Sequence, residues 1–313
     1  MHVEPKELQQ QLQGISAITS TAFDAGQEVD VAAMKRHLRF IVDNGITKKN
    51  GVVVVTGSTG ECGALSTQER VRVWDAALEE VGDELPVVAG VNHSNLREAI
   101  EMARLAEKAG AAGIMAVSPY YYPPRADVVL DFYKRLSEAT PLGIMLYNNT
   151  EVTHFDIPVD VLSEIADLEN VVGIKECSPN FAKMEQSARL LGSKLTVING
   201  HGEFLEPMAA LAGTTGFISS TANFAPGIAV NMWNARSAGD YVKAKSIRDN
   251  LTPYLDLAGR LGASGGEPKV LSLLKYLAAQ IGSPVGPGRN PVLPLSQSEL
   301  QAADAALAAI DLA

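Results

Sequence analysis

Apolar positions along the chain gather into short unbroken runs rather than alternating with polar ones. The runs are GISAITS from Gly14, GVVVVTG from Gly51, PVVAGVN from Pro86, GIMAVSP from Gly113, GIMLYNN from Gly143, VVGIKEC from Val171, LTVING from Leu195 and GFISST from Gly216. Gly or Pro bounds them and polar residues follow. Their length and β-branched content predict strands buried on both faces. The segments between them carry helical periodicity. Ser66 with Glu69 forms a capping box ahead of ERVRVWDAALEEV, and Asn95 with Glu98 repeats the pattern before a helix that stops at Gly110. VVLDFYKRLSEA, PVDVLSEIADL and AKMEQSARLLG fill later gaps. Eight strand–helix alternations predict an α/β fold, a (β/α)8 TIM barrel over 1–235. Residues 236–313, with DYVKAKSIRDNLTPYLDLAGRL and PKVLSLLKYLAAQI, read as a C-terminal helical region.

Composition narrows the picture without redirecting it. The 313 residues are 46% hydrophobic and 20% charged, an ordinary globular balance. A formal net charge of -10 argues against nucleic acid or an anionic membrane as partner. No apolar run reaches the roughly 18–20 residues of a membrane helix, and the polar start MHVEPKELQQQLQG carries no signal-peptide core. The 2 cysteines, Cys62 and Cys177, form no motif, so a disulfide framework is not expected and a cytoplasmic location is.

A barrel of this type does its chemistry at the C-terminal ends of its strands. Those ends carry Gly57 to Glu61, Asn92-His93, Ser118 to Tyr122, Tyr147 to Asn149, Lys175, Asn199 to His201, and Ser219 to Thr221. Lys175 is the one cation among them. A lysine there is either paired with a carboxylate such as Glu176 or Glu203, or a nucleophile whose amine is kept neutral by an apolar pocket. Tyr147, one strand away, is a proton donor and acceptor or a core phenol. In GSTGEC, Gly57 and Gly60 permit a tight turn and close backbone approach, and the spacing is not that of a phosphate loop. Ser58, Thr59 and loop N–H groups suit a carboxylate, with Glu61 as a structural acceptor for loop N–H groups. His93, His201 and Glu203 invite a metal reading, but no HExxH or carboxylate cluster supports one, and His201 reads better as a polar substrate contact.

Taken together, GSTGECGALSTQER, SPYYYPP, LYNNT, GIKECS, GFISSTAN and RNPVLPLS resemble the dihydrodipicolinate synthase / N-acetylneuraminate lyase superfamily of class I aldolases, from about Gly14 to Ser296. The resemblance implies a homotetramer built from dimers. It also implies that Lys175 condenses with the keto group of pyruvate or another 2-oxo acid, with no metal or organic cofactor. Tyr147 matches the tyrosine of the family's YN motif, which relays protons. Ser58 and Thr59 match the hydroxyl residues of the GTTGE loop. Tyr121 matches the tyrosine that some members reach across a subunit interface. Gly200 and Ile218 match positions lining the pyruvyl pocket. Two departures stand out: Thr150 replaces a frequent proline, and Val152 occupies the position of the arginine that holds the aldehyde's carboxylate in dihydrodipicolinate synthases. Val152 cannot supply a bidentate clamp, which shifts the expectation from a synthase toward lyases and hydro-lyases. His201 and Glu203 then offer polar contacts to a hydroxylated chain. C–C cleavage or formation leads, dehydration or deamination of a 2-keto-3-deoxy acid passes through the same imine, and a catalytically silent 2-oxo-acid-binding protein is the contrasting class.

Overall fold

The computed structural model describes residues 3–289 and 291–312. Its eight strands are β1 (Ile15–Ile18), β2 (Gly51–Val55), β3 (Val87–Gly90), β4 (Gly113–Val117), β5 (Gly143–Asn148), β6 (Val171–Glu176), β7 (Thr196–Asn199) and β8 (Gly216–Ser219). They close into a parallel barrel in chain order, and β8 pairs with β1. All eight are buried along their whole length, which is why they read as continuous apolar runs. Around and after them come α1 (Pro5–Gln11), α2 (Val31–Asp43), α3 (Thr67–Val81), α4 (Leu96–Ala109), α5 (Ala126–Ala139), α6 (Thr150–Thr153) and α7 (Val159–Ile165). The rest are α8 (Phe181–Leu191), α9 (Glu206–Leu211), α10 (Pro226–Ser237), α11 (Tyr241–Asn250), α12 (Thr252–Gly265), α13 (Glu267–Gln280) and α14 (Gln297–Ala308).

Local signals explain several boundaries. Both halves of the Ser66–Glu69 capping box form at α3, and Gly110 ends α4 at φ 94°, a left-handed cap suited to glycine. Within the C-terminal helical region the chain breaks at Leu251, where α11 ends and α12 begins with a proline in its first turn. Proline lacks an N–H and cannot continue the preceding helix, but it is tolerated at a helix start.

The helix α1 lies in a segment whose polar composition gives no periodic signal. Its purpose is at the bottom of the barrel. Leu8 and Leu12 are fully buried, and they occupy the space that side chains on the strands would otherwise fill. A Cβ on Gly113 would stand 2.2 Å from Leu8 Cδ2, and one on Gly173 would stand 3.0 Å from Leu12 Cδ1. Above this plug, Val52, Val54, Met115, Met145, Val172 and Ile198 fill the interior. Leu12→Ala should therefore cost about 2–5 kcal/mol through lost burial and a cavity. A urea unfolding midpoint that stays where it is in the parent chain would show that the plug adds nothing.

A separate apolar cluster joins the C-terminal helices to the barrel through Phe224, Ile228, Tyr254, Leu257, Leu273 and Leu277. It holds α12 and α13 against the mouth of the barrel, where both line the central cavity. Of the RNPVLPLS stretch, Asn290 lies outside the described residues.

Candidate functional site

The strand pleat decides which side chains enter the mouth. Successive residues of a strand point to opposite faces. Tyr147 and Lys175 are register partners on β5 and β6 and belong to the inner set, while Asn148 and Glu176, the next pair, turn outward. Outside the barrel, Asn148 Nδ2 donates to Asp156 at 2.9 Å and to Glu176 at 2.7 Å. Lys183 from α8 pairs with Asp156, and its ammonium lies 3.6 Å from Glu176. Burial raises the Glu176 carboxyl above its ordinary range, and Lys183 opposes the rise.

That network removes Glu176 as a partner for Lys175. Glu203 is occupied too: it accepts from Ser219 Oγ at 2.5 Å and from Thr221 Oγ1 at 3.0 Å. Lys175 is 4% exposed, and its Nζ lies 4.0 Å from the centroid of the Tyr147 ring. Burial pushes the lysine below its ordinary value, while Cys177 and Glu267 pull it back up. An amine so placed is easier to deprotonate than one in water.

The Tyr147 phenol is itself buried, and burial pushes it well above its ordinary value. The Ser58 hydroxyl and Asn149 act in the opposite direction, and Asn149 Nδ2 donates to the phenol oxygen at 2.6 Å. At neutral pH the group is therefore a phenol with two hydrogen-bonding neighbours ready to stabilise its anion. Ser58 and Thr59 reach the cavity from a turn in which Glu61 N donates to Ser58 O at 2.9 Å and Cys62 N donates to Gly57 O at 3.1 Å. Gly200 is required across from them, since a Cβ there would fall 2.2 Å from Cys177 Sγ. Burial pushes the Cys177 thiol up to about 11, so it is an un-ionised wall of the cavity at neutral pH.

These groups open into a cavity of about 260 Å³. Of the residues singled out from the sequence, Ser58, Thr59, Tyr147, Lys175, Gly200, His201, Glu203 and Ile218 line it. Three do not. Gly57 is buried behind the turn, with Met115 Cε 2.9 Å from where its Cβ would be. Tyr121 is 76% exposed and stacks edge-on against Tyr122, and Val152 is 39% exposed on α6. Both stand outside the lining, because the paths of the loops after β4 and β5 carry them to the surface. His201 lines the cavity with its ring tied down, Nε2 lying 2.9 Å from Ser178 O. His93 is also spoken for, its Nδ1 accepting from Asn95 N at 2.9 Å. Among the described residues, no group of three or more His, Cys, Asp or Glu is placed to hold a metal ion, and no helix is long and apolar enough to cross a membrane.

The sequence model of the Dihydrodipicolinate synthetase family matches residues 11–310. The chain belongs to the dihydrodipicolinate synthetase family. A relative within it, the 4-hydroxy-tetrahydrodipicolinate synthase of Methanosarcina barkeri, is 32% identical over 282 residues, which is 90% of this chain and 92% of that protein. The solved dihydrodipicolinate synthase of Oceanobacillus iheyensis superposes with a TM-score of 0.88 at 26% identity, covering 97% of this chain and 98% of the other. YagE, a prophage protein of the dihydrodipicolinic acid synthase family from E. coli K12 solved in complex with pyruvate, gives a TM-score of 0.86 at 25% identity, covering 94% and 97%.

In this member of the dihydrodipicolinate synthetase family the cavity is also lined by residues that strand-end reasoning passes over. Tyr254, Glu267, Val270 and Leu274 line the cavity from α12 and α13. Tyr254 is buried, which raises its phenol, and the Ser220 hydroxyl bonds to it. No motif in the helical region announces these positions; the apolar cluster that includes Tyr254 against Phe224, with ring centroids 5.0 Å apart, brings α12 to the mouth.

Proposed function

We propose that the protein is a Schiff-base lyase of the aldolase type that makes or breaks a C–C bond next to pyruvate or another 2-oxo acid. The observation that carries this reading is the buried Lys175, with Glu176 and Glu203 engaged elsewhere and its Nζ 4.0 Å from the centroid of the Tyr147 ring. In this reading the neutral amine attacks the keto carbon, and the carbinolamine loses water with a proton from the Tyr147 phenol. The resulting iminium draws electrons from the C3–C4 bond. The Tyr147 phenolate, supported by Ser58 and Asn149, takes the proton of the C4 hydroxyl as that bond breaks. An aldehyde leaves, the enamine is protonated at C3, and water releases the 2-oxo acid from Lys175. Thr59 and the N–H groups of its turn hold the substrate carboxylate. The scheme calls on no metal or organic cofactor. Tyr121, exposed on its own subunit, takes part only if a homotetramer carries it to a neighbour's cavity.

Among the described residues, Lys175 is the only lysine or arginine lining the cavity, whereas Glu151, Glu203 and Glu267 all line it. Once the imine forms, the remainder of the site offers carboxyl and hydroxyl groups and no cation to hold an anionic partner. That favours a hydroxylated, uncharged aldehyde as the second partner. The name of the Methanosarcina barkeri relative favours a second reading, 4-hydroxy-tetrahydrodipicolinate synthase, in which the aldehyde bears a carboxylate. Product analysis with pyruvate and each aldehyde class separates the two.

The deciding experiment is borohydride reduction in the presence of pyruvate, followed by peptide mass spectrometry. A reduced pyruvate adduct on Lys175 is expected. Because burial lowers the lysine, the initial trapping rate should climb with pH and level off below the ordinary 10.5. An unmodified Lys175 at every pH would overturn the reading.

A further inference from the structure

We propose that Lys275, on α13 of the C-terminal helical region, is a positioning residue for the Ser58–Thr59 turn and acts through a buried ion pair with Glu61. The inference rests on the reading of Ser58 and Tyr147 as the proton relay, and it adds a residue that touches neither substrate nor relay.

The Glu61 carboxylate does not serve the N–H groups of its own turn, as the sequence suggests. It reaches out of the turn to the C-terminal region. Its Oε1 is 2.7 Å from Lys275 Nζ, with the two side chains 2% and 3% exposed, and its Oε2 accepts from the backbone N–H of Arg289 at 2.8 Å. The lysine's remaining donors are also used, to Thr21 O at 2.6 Å and Pro287 O at 3.1 Å, and its Nζ lies 4.5 Å from the Phe23 ring centroid. The same Thr21 donates from its hydroxyl to Gly60 O at 2.7 Å. The turn is thus gripped from the segment after β1, from α13 and from the segment after α13.

The grip is on a strained piece of chain. Thr56 and Glu61, at either end of the turn, both have φ 55°, a left-handed conformation unfavourable for residues with a Cβ. Without an external hold the turn has a lower-energy alternative, and Ser58 would leave the Tyr147 phenol. A buried ion pair is a poor source of net stability, because desolvation offsets its attraction. A close ion pair whose Glu61 Oε2 and Lys275 ammonium are also bound to backbone groups is better suited to fixing a position. Misplacing a relay group by about 1 Å costs on the order of 100-fold in rate.

The test is the exchange of pyruvate C3 hydrogens in D2O, which needs the imine and the relay but no second substrate. Glu61→Gln keeps the shape of the side chain and removes the charge. It should slow exchange about 10- to 100-fold while the final yield of the borohydride-trapped adduct on Lys175 stays at the parent level. Lys275→Met should do the same. In a Tyr147→Phe background neither substitution should slow exchange further, since the relay they position is already gone. If Lys275→Met does not fold, as judged by its thermal transition, Glu61→Gln decides alone. The proposal is overturned if Glu61→Gln exchanges within about threefold of the parent, or if its loss is equally large in the Tyr147→Phe background, as a general loosening of the fold would give. Failure of the underlying lyase reading is distinguishable, because then the parent chain itself traps no adduct.

Discussion

Lys175→Arg is expected to abolish pyruvate trapping and to lower C3 exchange by roughly 10⁴- to 10⁶-fold, equivalent to ~5–8 kcal/mol of transition-state stabilisation. Arginine retains the positive charge and most of the stem, but its guanidinium has no neutral form at accessible pH and cannot attack a carbonyl. The substitution therefore separates the two readings that the sequence leaves open. If Lys175 were one half of a structural ion pair, arginine would be the mildest replacement and the protein would keep its function. The positions of Glu176 and Glu203 argue the other way, since the first is held by Lys183, Asn148 and Ser178 and the second by Ser219 and Thr221. Arginine would bring a larger cation against the Tyr147 ring, with Glu176 and Glu203 already engaged and the cavity-lining Glu267 left to meet it. Intact-mass measurement after borohydride treatment and NMR of the exchange check the prediction together. Residual exchange within tenfold of the parent would show that another amine, or no amine, carries the chemistry.

The positions that were legible in the sequence are those whose burial is dictated by the backbone. A strand covered by helices on one side and barrel interior on the other must be apolar throughout, so β2, GVVVV, and β4, GIMAV, are visible as runs. Against that background Lys175 stands out, and the pleat places it inward once Tyr147 is placed inward. The same pleat sends Glu176 outward, a deduction available from strand period alone. What could not be read depends on contacts between distant segments. Leu8 and Leu12 sit among glutamines, too sparse to form a periodic face, yet they complete the bottom of the barrel beneath Gly113, Gly143 and Gly173. Tyr254 and Glu267 enter the cavity only because the C-terminal helices pack over its mouth. Tyr121 and Val152 lie on loops, where a motif match fixes the residue's place in the chain but not its place in space. Both stand outside the cavity in a single chain.

The helical region is accordingly part of the site rather than an appendage to it. Lys275 pairs with Glu61 at the end of the Ser58–Thr59 turn, Tyr254 joins the cavity wall beside Ser220, and Glu267 supplies one of the carboxyl groups lining the cavity. A barrel deprived of α12 and α13 would keep Lys175 and Tyr147 on their strands. It would lose the charge that holds Glu61 and the wall that excludes water.

The phenol of Tyr147 is the next most consequential group. Tyr147→Phe is expected to slow C3 exchange about 100- to 10,000-fold while leaving Lys175 able to accumulate the trapped adduct on long incubation. The ring that packs over Lys175 at 4.0 Å survives the substitution, so the burial that lowers the amine is preserved. What disappears is the proton donor for carbinolamine dehydration and, after donation, the base. Asn149 Nδ2, which donates to the phenol oxygen at 2.6 Å, is left without that acceptor, as is the hydroxyl of Ser58. Ser58→Ala should be milder, because Asn149 still supports the phenolate. In parent and variant alike, the adduct mass after exhaustive trapping should be identical, and only the rate of approach should differ. A Tyr147→Phe protein that exchanges within tenfold of the parent would assign the relay to another group in the cavity, with the buried phenol of Tyr254, 4% exposed on α12, the first to examine.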